Sequence, residues 1–186
     1  MKRGIFVVIS GPSGVGKNTL VDILVNDKYG IYSVSYTTRK KRKNEVDGED
    51  YFYITNEEFE NKIRENKFLE YAKYSNNYYG TSKEFVFDNI NKGINVIAII
   101  DVQGTIKIKE VLPDAILVFI MPPSFEELRQ RLIKRNTDSP KEIEKRLEIA
   151  KKEIKYKDKY DYIVINNTVN EAVIDIKKII NEECKK

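Results

Sequence analysis

The hydrophobic positions of this chain form short unbroken runs, and a longer segment with helical spacing follows each run. An unbroken run rich in β-branched residues is typical of a strand that is covered on both faces, as in a parallel sheet. These runs cover residues 5–9, 95–100, 115–120 and 162–165. Apolar residues three and four positions apart predict helices over 17–26, 103–110, 124–135 and 170–183. The alternation predicts right-handed βαβ crossovers and therefore a doubly wound α/β sheet.

Two segments interrupt this α/β pattern. Residues 33–92 are dense in tyrosine, alternate polar with apolar positions and contain the turn Asp47-Gly48, so they predict an inserted lobe of mixed β structure with short antiparallel strands. The polar stretch 135–140 separates two arginine-bearing helical segments, as expected of a mobile flap. We therefore expect one domain with three parts. They are a core of about 1–32, 93–124 and 147–186, a lobe of about 33–92 and a helical lid of about 125–146.

Composition narrows the class of protein. The 186 residues are 41% hydrophobic and 33% charged, with a net charge of +4 spread along the chain, which suits small anions better than nucleic acid. The apolar run at 5–9 ends within a few residues at Gly11, so it predicts a buried strand and not a signal peptide. Cys184 is the only cysteine, which indicates a reducing compartment, and we expect a cytoplasmic protein with no membrane partner. Histidine is absent, which excludes Ser-His-Asp and Cys-His catalysis.

A glycine-rich loop follows the first predicted strand and opens the first predicted helix. It has the Gly-x4-Gly-Lys pattern, in which backbone N–H groups and a lysine hold the phosphates of a nucleotide. An unrelated glycine turn would not need strand, loop, lysine and helix in this order. The predicted ATP site comprises Gly11, Pro12, Ser13, Gly14, Val15, Gly16, Lys17, Asn18 and Thr19. The sheet is thus expected to be of the P-loop NTPase type.

Asn18 departs from the general pattern of this loop. Ser or Thr usually stands there and offers a hydroxyl to Mg²⁺. The amide oxygen of Asn18 could serve as a hard ligand, or a water molecule could replace it, because Mg²⁺ keeps several waters and takes other ligands from phosphates. We expect Mg²⁺ to enter with ATP and to be positioned weakly by the protein.

Several further motifs occur in a fixed order. They are Ser35-Tyr36-Thr37-Thr38-Arg39-Lys40-Lys41-Arg42, Glu45-Val46-Asp47-Gly48-Glu49-Asp50-Tyr51, Glu70-Tyr71-Ala72, Asn77-Tyr78-Tyr79-Gly80-Thr81, Asp101-Val102-Gln103-Gly104, Pro122-Pro123-Ser124 and Val164-Ile165-Asn166. With this order of motifs, over nearly its whole length, the sequence resembles guanylate kinases. The resemblance implies transfer of the γ-phosphoryl group of ATP to GMP, with dGMP as a second acceptor, in purine nucleotide metabolism.

The resemblance also implies roles for individual residues. Arg39 and Arg42 would clamp the phosphate of GMP, while Glu70 would accept hydrogen bonds from N1–H and the 2-amino group of guanine. A buried carboxylate that adenine leaves without donors costs about 1–3 kcal/mol or more, so adenine would be rejected. The remaining residues of the implied GMP site are Ser35, Tyr51, Tyr79, Thr81 and Asp101. Asn166 is similar to the position that borders the adenine of ATP.

The resemblance also implies a set of positively charged catalytic residues from the loop, the lobe and the lid. They are Lys17, Arg39, Arg131, Arg135 and Arg146. The attacking oxygen of GMP is already anionic, so positioning and charge neutralisation would carry catalysis without a general base.

Some alternatives remain open at this point. Arg131 and Arg135 could form only a surface stripe that pairs with Glu127. Ile99 stands two residues before Asp101, where guanylate kinases often carry another acid, and together with Asn18 it would fit a catalytically weakened, guanylate-kinase-like protein-binding module. A kinase for another nucleoside monophosphate is a nearer rival. The sequence also leaves a homodimer open as one form of assembly.

Overall fold

The computed structural model describes residues 2–74, 76–134 and 139–186 and has an α/β architecture. In chain order its elements are β1 (Phe6–Ser10), α1 (Lys17–Asn26), β2 (Ile31–Tyr32), β3 (Tyr36–Thr37), β4 (Phe52–Tyr53), α2 (Asn56–Arg64), β5 (Phe68–Tyr74), β6 (Asn77–Ser82), α3 (Lys83–Asn91), β7 (Val96–Ile99), α4 (Val102–Val111), β8 (Ile116–Met121), α5 (Phe125–Lys134), α6 (Pro140–Ile154), β9 (Tyr162–Ile165) and α7 (Val169–Glu183). A short 3-10 helix at Lys157–Lys159 precedes β9.

Within the described residues, the central sheet has five parallel strands in the order β2-β7-β1-β8-β9. Every residue of β1 is buried, as its unbroken apolar run predicts for a central strand covered on both faces. The predicted doubly wound sheet is confirmed. The bounds of α1 and β9 agree with the predicted ranges. Those of α7 differ by one residue at its start, and those of α4 and α5 differ by one residue at each end.

Hydrophobic cores cover both faces of this sheet. Val7 and Ile9 of β1 pack with α1 and α7, whereas Phe6 and Val8 pack with α3 and α4. Full burial of one such side chain contributes about 1.5–3 kcal/mol. This packing on both faces fixes the strands in place. Because the strands are parallel, their carboxyl ends lie at one edge of the sheet, where ligands of open α/β sheets bind.

The inserted lobe is built on a second sheet with the strand order β4-β3-β6-β5. The pairs β3-β6 and β5-β6 are antiparallel, as expected, while β3-β4 is parallel. Phe59 of α2 is fully buried, and its ring stacks at 4.4 Å on Phe68 and at 5.1 Å on Tyr78 between centroids. A Cβ on Gly80 would come within 2.9 Å of Phe59 and Phe68, so only glycine fits beside these rings. The lobe thus has an aromatic core of its own.

The hydrophobic pattern had not predicted α2 and α3. Phe59 and Ile63 are the only apolar residues of α2, and only Phe59 is buried, so the apolar pattern is short. Its start is nevertheless marked by a capping box in which Thr55 and Glu58 satisfy each other's backbone N–H groups. Val86 and Ile90 of α3 pack into the core of the central sheet. This helix therefore ties the end of the lobe sequence to the core.

The two helices of the predicted lid share a small hydrophobic cluster. It contains Leu128, Leu132, Ile143, Leu147 and Ala150. α6 starts with a second capping box and continues to Ile154, past residue 146 where the sequence placed the end of the lid. The division into core, lobe and lid stays a prediction. Over the described residues, no helix has the length and apolar character needed to cross a membrane.

Candidate active site

The glycine-rich loop lies between the end of β1 and the first turn of α1. Gly11, Gly14 and Gly16 have φ values of 138°, 90° and 97°, a region that favours glycine. A Cβ on Gly11 would lie 2.4 Å from the carbonyl oxygen of Ile120 on β8. The loop therefore curls tightly over the N-terminus of α1, whose backbone N–H groups and helix dipole attract anions.

Two polar side chains support this loop. The ammonium group of Lys17 donates to the carbonyl oxygens of Gly11 at 2.5 Å and Pro12 at 3.0 Å. Asn166, after β9, is buried and donates through Nδ2 to the carbonyl oxygen of Val15 at 2.7 Å. The structure thus gives Asn166 a supporting contact with the loop, and its proposed place beside adenine stays a prediction.

A cavity of about 320 Å³ joins the loop to the inserted lobe. Residues from the loop, both sheets and α6 line it together. Among them are Gly11, Ser13, Lys17, Ser35, Tyr51, Glu70, Tyr79, Asp101 and Arg146. The structure therefore brings residues predicted for the donor and residues predicted for the acceptor into one space.

Glu70 places a buried carboxylate in this cavity, with 7% of its surface exposed. Its Oε1 accepts a hydrogen bond from the hydroxyl of Thr81 at 2.8 Å. Burial, and secondarily the negative charge of Asp101, raises the pKa of Glu70 to about 7. A Cβ on Gly104 would lie 2.5 Å from Oε2 of Glu70, so the glycine of the Asp-Val-Gln-Gly motif makes room for this carboxylate.

Asp101 has a second role at the start of α4. Its Oδ1 accepts a hydrogen bond from the backbone N–H of Gly104 at 2.7 Å and caps the helix. This bond fixes Asp101 and Gly104 relative to each other. Glu70 is thus held against the N-terminal turn of α4, with its carboxylate facing the cavity.

Glu45 accepts hydrogen bonds from both arginines that are predicted to hold the acceptor phosphate. Arg39 binds Glu45 through two hydrogen bonds of 2.9 and 2.7 Å, and the backbone N–H of Arg42 donates to the same carboxylate at 2.8 Å. The hydroxyl of Tyr53 donates a fourth hydrogen bond to this carboxylate at 2.8 Å. These hydrogen bonds, led by that of Arg39, lower the pKa of Glu45 to about 2.

Aromatic rings hold the other side of the guanidinium group. The Arg39 guanidinium lies 5.4 Å from the centroid of the Tyr51 ring, and Tyr51 meets Tyr79 edge to face at 5.8 Å. These three side chains and Arg42 line a neighbouring cavity of about 310 Å³ that also includes Asn18 of α1. The predicted phosphate clamp is therefore a preformed cluster beside the loop.

The predicted lid arginines have different surroundings. Arg146 of α6 donates to the hydroxyl of Ser13 at 2.8 Å and so contacts the loop. Arg131 of α5 forms an ion pair with Glu127 at 3.0 Å and donates to the carbonyl oxygen of Asn167 at 3.3 Å. The pairing with Glu127 is the one that a surface stripe would give. Arg135 lies outside the described residues.

Three residues around this site were not predicted from the sequence. Glu45 lies within one of the ordered motifs, but only its hydrogen bonds to Arg39 and Tyr53 connect it with the predicted phosphate clamp. The role of Gly104 depends on its distance from Glu70. Glu153 of α6 lines the main cavity, and no local signal in the sequence pointed to it.

Comparisons with known proteins show the family of the chain. The family model for guanylate kinase matches residues 3–183. Guanylate kinase of Caldanaerobacter subterraneus subsp. tengcongensis is 48% identical over 186 residues, covering 99% of this chain and 90% of that protein. Guanylate kinase of Lactococcus lactis subsp. lactis is 49% identical over 183 residues, with 98% and 89% covered. The crystal structure of guanylate kinase from Anaplasma phagocytophilum matches with a TM-score of 0.80 at 34% identity, covering 100% of this chain and 89% of that one. The chain belongs to the guanylate kinase family.

Proposed function

We propose that this protein is an ATP:GMP phosphotransferase that converts ATP and GMP to ADP and GDP. One observation carries the proposal beyond family membership. The cavity of about 320 Å³ contains both the loop lysine, Lys17, and the buried carboxylate of Glu70. An enzyme that transfers a phosphoryl group between two nucleotides needs a phosphate-binding loop and a base-recognition group within one such space.

The acceptor site is proposed to select guanine through Glu70. Guanine presents two adjacent donors, N1–H and the 2-amino group, to a carboxylate, whereas adenine would leave the buried carboxylate without donors. Ser35 and Thr81 are proposed to face O6 of guanine, with Asp101 near the 2-amino group. Since none of these contacts involves the 2′ position of the sugar, dGMP is proposed as a second acceptor.

The phosphate of GMP is proposed to bind at Arg39 and Arg42, with the phenols of Tyr51 and Tyr79 as further donors. The doubly hydrogen-bonded contact between Arg39 and Glu45 supports this role because it fixes the guanidinium plane before the substrate arrives. A preorganised donor loses little conformational entropy when the phosphate binds.

The triphosphate of ATP is proposed to bind the loop from Gly11 to Thr19 with Mg²⁺. The residues present fit a metal that is held mainly by the nucleotide, because the amide oxygen of Asn18 is a hard ligand at the exposed first turn of α1. In the described ranges, no group of three acidic, cysteine or histidine residues could hold a metal ion by itself. Bound Mg²⁺ would supply charge neutralisation on the transferring phosphates.

The reaction is proposed to proceed by direct transfer. An anionic phosphate oxygen of GMP forms a bond to the γ-phosphorus of ATP while the bond to the β,γ-bridging oxygen breaks, and ADP leaves. No proton has to be removed from the nucleophile, which is consistent with a chain that contains no histidine. Lys17 would leave the loop carbonyls to follow the transferring group, and Arg131, Arg135 and Arg146 would neutralise its charge.

Closure of the lid over the donor would exclude water and prevent hydrolysis of ATP. The contact between Arg146 and Ser13 supports a lid that reaches the loop. A cytoplasmic location and a role in purine nucleotide metabolism belong to the same proposal and rest on the substrates of the family. A homodimer remains a proposal that a sedimentation measurement would test.

An acceptor panel tests the proposed function. ADP release from Mg-ATP would be measured by a coupled assay with GMP, dGMP, AMP, UMP and CMP. We expect turnover with GMP and dGMP and background rates with the other three. A protein without turnover that binds peptides instead would support the weakened module, which otherwise rests only on Asn18 and Ile99. Faster turnover with AMP, UMP or CMP would overturn the assignment to guanine.

A further inference from the structure

Glu153 is a carboxylate of the main cavity that none of the proposed steps uses. It lies in the last turn of α6 and lines the cavity together with Lys17 and Asp101. Its Oε2 atom is inaccessible to solvent, and none of the described residues provides a hydrogen-bond donor for it. Burying a carboxylate oxygen without a hydrogen-bond donor costs free energy. A nearby positive charge is one interaction that can offset this cost.

Three features of the surroundings disfavour a negative charge at this position. Burial removes the carboxylate from water and is the main cause that raises the pKa of Glu153, and the charge of Asp101 raises it further. The third feature is the C-terminus of α6, which carries the negative end of the helix dipole. Lys17 is the group that opposes them, because its positive charge favours the ionised form of Glu153.

Glu153 also shares one face of α6 with the lid arginine. Arg146, Ile149 and Glu153 are spaced three and four residues apart, and all three line the same cavity. Arg146 reaches the hydroxyl of Ser13 on one side of the loop. The same helix therefore brings a positive group to the loop serine and a negative group towards the loop lysine.

We propose that Glu153 is a positioning residue for Lys17, and that its carboxylate holds the ammonium group beside the phosphate site and links it to the lid helix. The ammonium group of Lys17 donates to the carbonyl oxygens of Gly11 and Pro12. When the ammonium group of Lys17 leaves these carbonyl oxygens for a phosphate, the negative charge of Glu153 keeps the ammonium group on the cavity side of the loop. This inference rests on the proposed function of the loop.

A double-mutant cycle on ATP binding tests the proposal without relying on turnover. The wild type, Lys17→Met, Glu153→Gln and the double variant would be titrated with Mg-ATP by calorimetry in the absence of GMP. Without Lys17, the carboxylate of Glu153 faces the phosphates uncompensated. Glu153→Gln should therefore tighten ATP binding in the Lys17→Met background by about fivefold or more, the scale of coupling between interacting charges. In the wild-type background the same change should leave ATP binding unchanged or weaken it.

Matched variants separate positioning from structural support. Glu148→Gln alters an exposed glutamate on the same helix that pairs with Lys151, so its effect should be additive with Lys17→Met. Glu153→Asp keeps the charge and should retain more of kcat than Glu153→Gln. Thermal unfolding verifies that each protein is folded, and Lys17→Gln replaces Lys17→Met if the latter does not fold.

The outcomes are distinct. The positioning role would be overturned if the effects of Lys17→Met and Glu153→Gln were additive, which means that Glu153→Gln changes ATP binding equally in both backgrounds. A wild-type protein that does not bind Mg-ATP would instead contradict the proposed function.

Discussion

Replacement of Glu70 by glutamine should stabilise the fold and impair the activity at the same time. Glu70→Gln keeps the shape of the side chain but removes a charge that is 7% exposed. The amide can still contact the hydroxyl of Thr81, which lies 2.8 Å from Oε1 in the wild type. The substitution should raise the free energy of unfolding because a buried charge destabilises the folded state. It should lower the activity with GMP because guanine needs the charged carboxylate as an acceptor.

The magnitude follows from the raised pKa of Glu70. Burial moves this pKa from an ordinary value of 4.5 to about 7, so the folded state holds the proton more tightly than the unfolded chain. The contribution of Glu70 to stability is therefore fully present below pH 4.5 and is lost as the pH rises through about 7. At about 1.4 kcal/mol per pH unit, the ionised carboxylate costs the folded state on the order of 3 kcal/mol above neutrality.

Unfolding by urea would be measured between about pH 4.5 and 8 for both proteins. Glu70→Gln should gain stability over the wild type as the pH rises, up to about 3 kcal/mol. Glu60→Gln, an exposed change on α2, should show no such gain. Identical pH dependence of the wild type and Glu70→Gln would refute the argument from burial.

The same variant should lose activity with GMP. Guanine would face the amide group with its two donors, and loss of a charged acceptor costs about 3 kcal/mol, or roughly a hundredfold in kcat/KM. For the wild type, the KM for GMP should rise as the pH falls below about 7, because protonated Glu70 can no longer accept both donors. Steady-state kinetics with saturating Mg-ATP measure both effects, and an unchanged kcat/KM in Glu70→Gln would refute the guanine site.

Three further substitutions probe the supports of the site. Gly104→Ala would place a Cβ 2.5 Å from Oε2 of Glu70. The kcat/KM for GMP should therefore fall at least about tenfold, while the KM for ATP changes little. Equal losses for both substrates would contradict this expectation. Glu45→Gln removes the charge that orients Arg39, so the KM for GMP should rise about tenfold, and an unchanged KM would show that Arg39 needs no such partner. Asn166→Ala removes the 2.7 Å hydrogen bond to the loop, so urea unfolding should show a loss of about 1–2 kcal/mol and kinetics a higher KM for ATP alone.

The central sheet could be predicted from sequence because its signal is local. The unbroken runs around Val7 and Val118 mark strands buried on both faces, and the glycine-rich loop that follows β1 marks the helix start at Lys17. By contrast, β2 is only two residues long and has too few positions for a periodic signal. The start of helix α2 is marked by the capping residue Thr55, which hydrophobic spacing alone does not reveal.

The candidate site could be predicted where a motif fixes the chemistry, and not where function depends on a long-range contact. Lys17 and Glu70 were identified from ordered motifs, and the structure brings them to one cavity. Glu45 and Gly104 lie in motifs as well, but their functions depend on the distances to Arg39 and Glu70. No spacing along the chain encodes such distances.

The most direct test is a crystal structure of the protein with GMP and ADP bound. We expect the guanine edge to lie against the carboxylate of Glu70, the GMP phosphate between Arg39 and Arg42, and the ADP phosphates in the loop at Lys17. GMP bound elsewhere, or with its base turned away from Glu70, would contradict this expectation.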